Sequence, residues 1–328
     1  MPSERPDATY PHRTLQPGQR CVVHTLDVAT GATTEVLSTP DLLLEAPNWI
    51  DPDTLILNGD GVLWRLALGS GNLERIDVDG LPDLNNDHVP GPDPDTVYVS
   101  GYDWHLHRVS LSERTSARIT APDPDRMLFH FLHGVSPDGE ELAFVGLELG
   151  SEGSPPLANI FTMPSSGGPL RQLTMGTKPA DGPEYSPDGE WIYFSTEAFS
   201  DAPGHAQIAR MRRDGTEPTQ LTFDDRVNWF PHLAPAGDPI CYLSYPPGTE
   251  GHPADLDVEL RLVTRGEWSS PRTVARLFGG QGTINVNSWA PDSTAFAFIS
   301  YPLDMDRWTP LGAVALCTEL NSSGSSAS

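Results

Sequence analysis

Short runs of alternating apolar and polar residues recur along the chain, each opened by a turn of the Pro-Asp-Gly type. Four of these units align directly: HGVSPDGEELAFVG (133–146), PEYSPDGEWIYFST (183–196), PHLAPAGDPICYLS (231–244) and NSWAPDSTAFAFIS (287–300). Shortened versions, NWIDPDTLILNG (48–59) and GPDPDTVYVSG (91–101), precede them. Alternation with period two is the mark of a half-buried strand, and the turn residues mark where it reverses. The turn prolines Pro52, Pro94, Pro137, Pro187, Pro235 and Pro291 lie 42, 43, 50, 48 and 56 residues apart. A period of this size, repeated six times, matches the blade period of a β-propeller.

Each unit then continues into two outer strands joined by a Gly-rich turn, as in NIFTMPSSGGPLRQLT (159–174) and QIARMRRDGTEPTQLT (207–222). These turns carry hairpin chemistry. The first segment, CVVHTLDVATGATTEVL (21–37), has the form of an outer pair with no inner pair, whereas the last unit lacks outer strands after residue 300. Joining the two closes the ring and removes its open edges. The expectation is an all-β, six-bladed propeller of four-stranded antiparallel blades, closed by N-terminal strands. Residues 1–19 form an extension, 20–310 the propeller, and 311–328 a C-terminal strand and tail. As an alternative closure, LGAVALCTEL (311–320) supplies a strand of the last blade.

The antiparallel connections assign faces. The Pro-Asp-Gly and Gly-rich turns share one face. The segments before each inner strand, and those between the second and third strands, share the other. The second face collects unusual polar residues: Asn48; Asn85, Asn86, Asp87 and His88; His133; Asp181 and Glu184; Asn228 and His232; Gln281, Asn285 and Asn287; and His252 from a long loop. Six converging strands direct these toward one funnel. Imidazoles with carboxylates suit a divalent Mn, Zn or Fe ion, and amides with carboxylates match sugar hydroxyls. The metal candidates are His88, His133, His232 and His252. The acid–base candidates are His232, His133 and Glu184. The ligand-contacting candidates are Asn48, Asn86, Asp87, Asp181, Asn228, Gln281, Asn285 and Asn287.

Each of these has a structural alternative. His88 also reads as a turn cap, His133 as a core histidine bonded to a carbonyl, and His252 as a solvent-facing loop residue. Asp181 and Glu184 also read as partners of strand-end N–H groups. His105 and His107 alternate on an outer strand, a position that is usually surface. Trp49, Trp229 and Trp289 read as packing between blades.

Composition narrows the function classes. The 20 Lys and Arg against 45 Asp and Glu give a formal charge of −25, and Lys178 is the only lysine. Binding phosphate backbones needs clustered cations, so a nucleic-acid partner is excluded. There is no run of 18 apolar residues, so membrane insertion through a helix is not expected. Cys21, Cys241 and Cys317 are odd in number and widely spaced, which gives no disulfide framework. Residues 1–20 contain no apolar stretch of signal-peptide type, so the expected compartment is the cytoplasm, or the periplasm if a leader has been trimmed. The chain has no G-x-S-x-G, H-E-x-x-H, P-loop or dinucleotide fingerprint.

The recurrent S/A-P-D-G turn with its alternating strand resembles the TolB-like propeller family over about residues 20–301. NNDHV (85–89), FLHGVSPDG (131–139), DGPEYSPDG (181–189), NWFPHLAP (228–235) and LFGGQGTINVNSWAPDS (277–293) resemble an uncharacterised bacterial branch of it. That branch is distantly similar to the oligogalacturonate lyases, propellers that hold a metal near the axis. The resemblance implies a funnel ligand such as a sugar, sugar acid or oligosaccharide, with metal-assisted lyase or isomerase chemistry. The other implication is a non-catalytic scaffold for a protein partner. The lyases use one inner-strand His, matched by His232, and a later Gln-x-x-His-x-His cluster. Here the corresponding stretch runs from Gln281 to Asn285 and Asn287 with its spacing off by one and asparagines in place of histidines, which counts against pectin-type β-elimination.

Overall fold

The computed structural model describes residues 12–123, 126–149 and 156–303. Within them the chain forms 23 strands and no helix. Five sheets have four antiparallel strands each, in spatial order from the axis outward. Blade 1 begins at Glu45–Asp51, blade 2 at Leu84–Pro90, blade 3 at Leu128–Val135, blade 4 at Ala180–Tyr185 and blade 5 at Val227–Leu233. In blade 6, Ala295–Ser300 pairs with Cys21–Asp27, which pairs with Thr33–Thr39. Its innermost position is filled by the irregular segment 283–290, tied on by the Trp289–Phe296 bridge and by Ala297 N–H donating to Ser288 O. The N-terminal strands therefore close the ring as the repeat predicts. The alternative closing strand, 311–320, lies outside the described residues.

The repeated turn explains its own sequence. Ser136 Oγ accepts from Glu141 N–H at 2.9 Å, Asp138 Oδ1 accepts from Glu140 N–H at 3.0 Å, and Gly139 takes φ 71°. Ser186, Asp188 and Gly189 repeat this arrangement. Side-chain oxygens thus satisfy N–H groups that the reversal would orphan, and glycine supplies the left-handed residue.

Apolar side chains fill the wedges between blades. Leu132, Leu142, Phe144 and Phe161 pack with Tyr98 and Leu106 across blades 2 and 3, while Trp229, Leu243 and Leu260 pack with Trp289 and Phe296 across blades 5 and 6. Trp289 Nε1–H also donates to His232 O across that second wedge.

The inner strands depart from regular pairing in a way that matters for the axis. All five ladders shift register midway: between Glu45 and Asn48, Leu84 and His88, Leu132 and Gly134, Asp181 and Glu184, and Trp229 and His232. In blades 1, 4 and 5 the break coincides with a proline, Pro47, Pro183 or Pro231, which has no N–H to give the ladder. The residue before each proline has positive φ: Ala46 at 53°, Gly182 at 62° and Phe230 at 55°. Such bulges re-aim side chains. Here they turn polar residues toward the axis.

Candidate functional site

The polar residues at the axis separate into two groups. The first begins at Asp181, in the bulge of blade 4, whose Oδ1 accepts from Gly182 N–H at 2.6 Å and lies 3.3 Å from His133 Nε2. Its Oδ2 lies 3.4 Å from His252 Nε2. His252 Nδ1 meets Gln281 Oε1 at 2.6 Å, and His133 Nδ1 meets Asn285 O at 3.1 Å. Blades 3, 4, 5 and 6 thus each contribute to one chain of contacts. Asp87 of blade 2 faces the same charges. It accepts from Asn85 Nδ2 at 3.2 Å and is held within the field of His133, Asp181 and His252.

Both ring nitrogens of His133 face acceptors, so both carry hydrogen and the ring is an imidazolium. Burial disfavours that charge, but Asp87, Asp181 and the Asn285 carbonyl outweigh it and raise the pKa to about 9. Burial likewise pulls His252 down, and Asp181 and Gln281 reverse the sign and leave it raised. Despite burial, the bonds from His133 and His252 hold Asp181 well below the usual carboxylate range. Asp87 goes the other way. Burial first, and then repulsion from Asp181, lift it to about 6 against the pull of His133. A carboxyl of this kind exchanges its proton near neutrality.

Phe230 supports this group from below. Its φ of 55° is strained for a bulky residue, and its N–H is held by Ser195 Oγ at 3.0 Å. In that conformation its ring lies 5.8 Å from His133 and 5.0 Å from His252, and Trp229 lies 4.7 Å from His252. The sequence reading treats His252 as a solvent-facing alternative. The structure instead pins it against two aromatic rings and Asp181.

A cavity of about 180 Å³ opens beside this group, between blades 1, 2 and 6. Its walls include Glu45, Asn58, Asp60, Asn86, Tyr102 and Gln281, with His12 and Arg13 from the N-terminal segment. Arg13 lies over the Tyr301 ring at 4.1 Å. Its guanidinium donates to Glu45 Oε1 at 3.2 Å, Gln281 O at 2.8 Å and Asp255 Oδ1 at 3.0 Å. Gln16 and Gln19 add bonds to Asp255 at 2.9 and 2.6 Å. Burial raises the Glu45 carboxyl even beside Arg13. Sequence reasoning missed Arg13, Glu45, Asn58, Tyr102 and Asp255. The only available signal was that Glu45, Asn58 and Asp255 sit on connections of the funnel face. Nothing in the first 19 residues marked Arg13 as reaching the axis.

The second group is a buried clasp. His232 Nδ1 meets Glu184 Oε2 at 2.6 Å, and His232 Nε2 donates to Ile284 O at 2.5 Å. Glu184 Oε1 accepts from Leu233 N–H and Asn287 Nδ2, each at 2.7 Å. Asn287 O accepts from Asn48 Nδ2 at 2.5 Å. Blades 4, 5, 6 and 1 are tied together here, and the hydrogen-bonding capacity of His232 and Glu184 is spent on protein.

Several sequence expectations are therefore corrected. His232 and Glu184 partner each other and the backbone rather than the vestibule. His88 is buried between blades 1 and 2, with Nε2 3.5 Å from Ile56 O, and burial lowers its pKa to about 4. His88, His133, His232 and His252 consequently do not converge. Among the described residues no group of three or more His, Cys, Asp or Glu side chains is arranged to hold a metal ion. The donor set does not fit the expected divalent cation. Asn228 is also turned away from the funnel, bonded to Asp224 Oδ1 at 2.9 Å and Ser244 Oγ at 2.7 Å. Asn285 Oδ1 is taken by Gly282 N–H. His105 and His107 are buried rather than surface residues. His105 bonds to Thr120 Oγ1 at 2.9 Å, and His107 lies 3.1 Å from Asp103 Oδ2.

The fold and this axial arrangement define a six-bladed propeller of TolB-like type. The chain is 34% identical over 284 residues to the uncharacterised protein Atu1656 of Agrobacterium fabrum, an alignment covering 86% of this chain and 92% of that one. It therefore belongs to the family of that protein. A solved Agrobacterium tumefaciens structure, provisionally named a TolB, is also 34% identical, with a TM-score of 0.77 over 87% of this chain and 99% of that chain. An oligogalacturonate lyase in complex with manganese shares the fold at 15% identity, with a TM-score of 0.54 over 80% of this chain and 75% of that chain. No family model matches the sequence.

Proposed function

We propose that the axial vestibule binds a polar small molecule. The observation that carries this reading is the convergence of Asp87, His133, Asp181, His252 and Gln281 from five blades into one contact network, braced by the strained Phe230 and joined through Gln281 to the wall of the neighbouring cavity. Buried charges in this number are costly for stability alone, and perturbed titratable groups beside a cavity are the usual mark of a binding site. The cavity is smaller than the ~300–1,000 Å³ of drug-sized pockets, which suits a single sugar ring or a molecule of that size. If the bound molecule reacts, Asp87 is the group suited to proton transfer, and no step is assigned to a metal.

A panel of polar metabolites screened by thermal shift tests the reading. A ligand that binds only the native state raises the melting temperature, and Asp181→Asn should abolish that rise while the variant stays folded. A panel that leaves the wild type unmoved, or a rise that Asp181→Asn preserves, argues against the site.

One observation favours a second reading, a surface for a protein partner. The exposed large apolar residues Met127, Leu149, Met175, Phe199 and Phe223 all lie in loops of the funnel face, around blades 3 to 5. Met175 and Phe223 are 83% and 76% exposed. Replacing both with serine should leave ligand shifts intact and abolish any complex made through this rim.

A further inference from the structure

We propose that the vestibule ligand is an amine: a small hydroxylated molecule carrying a protonated nitrogen, in place of the sugar acid that the resemblance implies. This rests on the small-molecule reading of the same site and names the chemical class.

Charge is the first ground. Glu45 and Asp60 line the cavity, and Asp83 and Asp87 stand beside it. The cations nearby are already committed. Arg13 is shared between Glu45 and Asp255, His133 and His252 are both on Asp181, and His12 in the cavity wall is on Asp83. Among the described residues, no lysine and no second arginine faces the cavity. An entering carboxylate would meet uncompensated like charge, whereas an ammonium would relieve it.

The second ground is independent of charge. Asn58 lines the cavity and is 4% exposed, and its Nδ2 has no hydrogen-bond partner. A buried donor without a partner is costly, and an oxygen on the ligand would satisfy it. Hydroxyl oxygens serve this amide, and the ammonium serves Glu45 and Asp60. The chain already illustrates the preference, because its own Arg13 enters this region as a cation over the Tyr301 ring.

Calorimetric titration of the full chain at pH 7 with matched probes tests the class: glucosamine, glucose and glucuronate, then serinol, glycerol and glycerate. The amine of at least one set should bind at least tenfold more tightly than its neutral partner, with no binding of the acid, and added salt should weaken it. Asp60→Asn, at an exposed position, should reduce the amine preference severalfold while the protein stays folded. Tighter binding of a neutral or acidic probe overturns the amine and leaves the small-molecule reading standing. No binding by any probe overturns both.

Discussion

His133 Nε2 lies 3.3 Å from Asp181 Oδ1 while its Nδ1 faces the Asn285 carbonyl at 3.1 Å, so one imidazolium joins blades 3, 4 and 6 at the axis. The charge on this ring makes stability depend on pH. Its folded pKa of about 9 lies above the ordinary 6.5. Its contribution is therefore fully present below pH 6.5 and is lost as pH rises through 9. The shift corresponds to about 3 kcal/mol at most. Denaturant melts from pH 6 to 10 should show this loss, and His133→Gln should flatten it. An unchanged slope in the variant would remove His133 as its source.

Asp87 has the same direction of shift and the opposite consequence at neutral pH. Its folded pKa of about 6 exceeds the ordinary 3.8, so its contribution is present below 3.8 and is lost as pH rises through 6. Asp87→Asn removes the cost of that ionisation and the strongest support of the His133 charge. The variant should gain stability near pH 7, by roughly 1 kcal/mol, and the His133 ring should titrate at lower pH by NMR.

The clasp beneath makes a sharper demand. His232→Ala leaves Glu184 Oε2 and Ile284 O without their partner in a buried setting. Removing one member of such a pair costs about 3–5 kcal/mol. Asn287→Ala should cost less, about 1–3 kcal/mol, because Leu233 N–H still reaches Glu184. Equilibrium unfolding gives both values, and equal costs would contradict the assignment.

Arg13 holds the N-terminal segment across blades 1, 5 and 6. Arg13→Ala removes bonds to Glu45, Asp255 and Gln281 and leaves the partly buried Glu45 without its cation. Stability should fall by about 2–4 kcal/mol, and limited proteolysis should cut between residues 12 and 20 faster than in the wild type.

Because His88 and His232 are turned away from His133 and His252, chelator dialysis should change neither the melting temperature nor any ligand-induced rise. A drop reversed by Mn or Zn would show a metal site that this donor geometry does not provide.

The repeat, its turns and the closing pair 21–37 were legible in the sequence because they are local. A Pro-Asp-Gly reversal and an alternating strand each span a few residues, and their side chains satisfy their own backbone. The face carrying the polar residues was legible too, since antiparallel connectivity alone assigns it. Which of those residues meet was decided by the tertiary structure. His232 and His133 occupy similar places in their repeats, yet one is spent on Glu184 and the other opens onto Asp87 and Asp181. The difference comes from the inner-strand bulges: His133 is the residue left out of its ladder between Leu132 and Gly134, whereas His232 is paired with Cys241 just past the break at Phe230 and Pro231. Arg13 reaches Asp255 across 242 residues of chain. That contact exists only because ring closure brings the first strands beside the last blade.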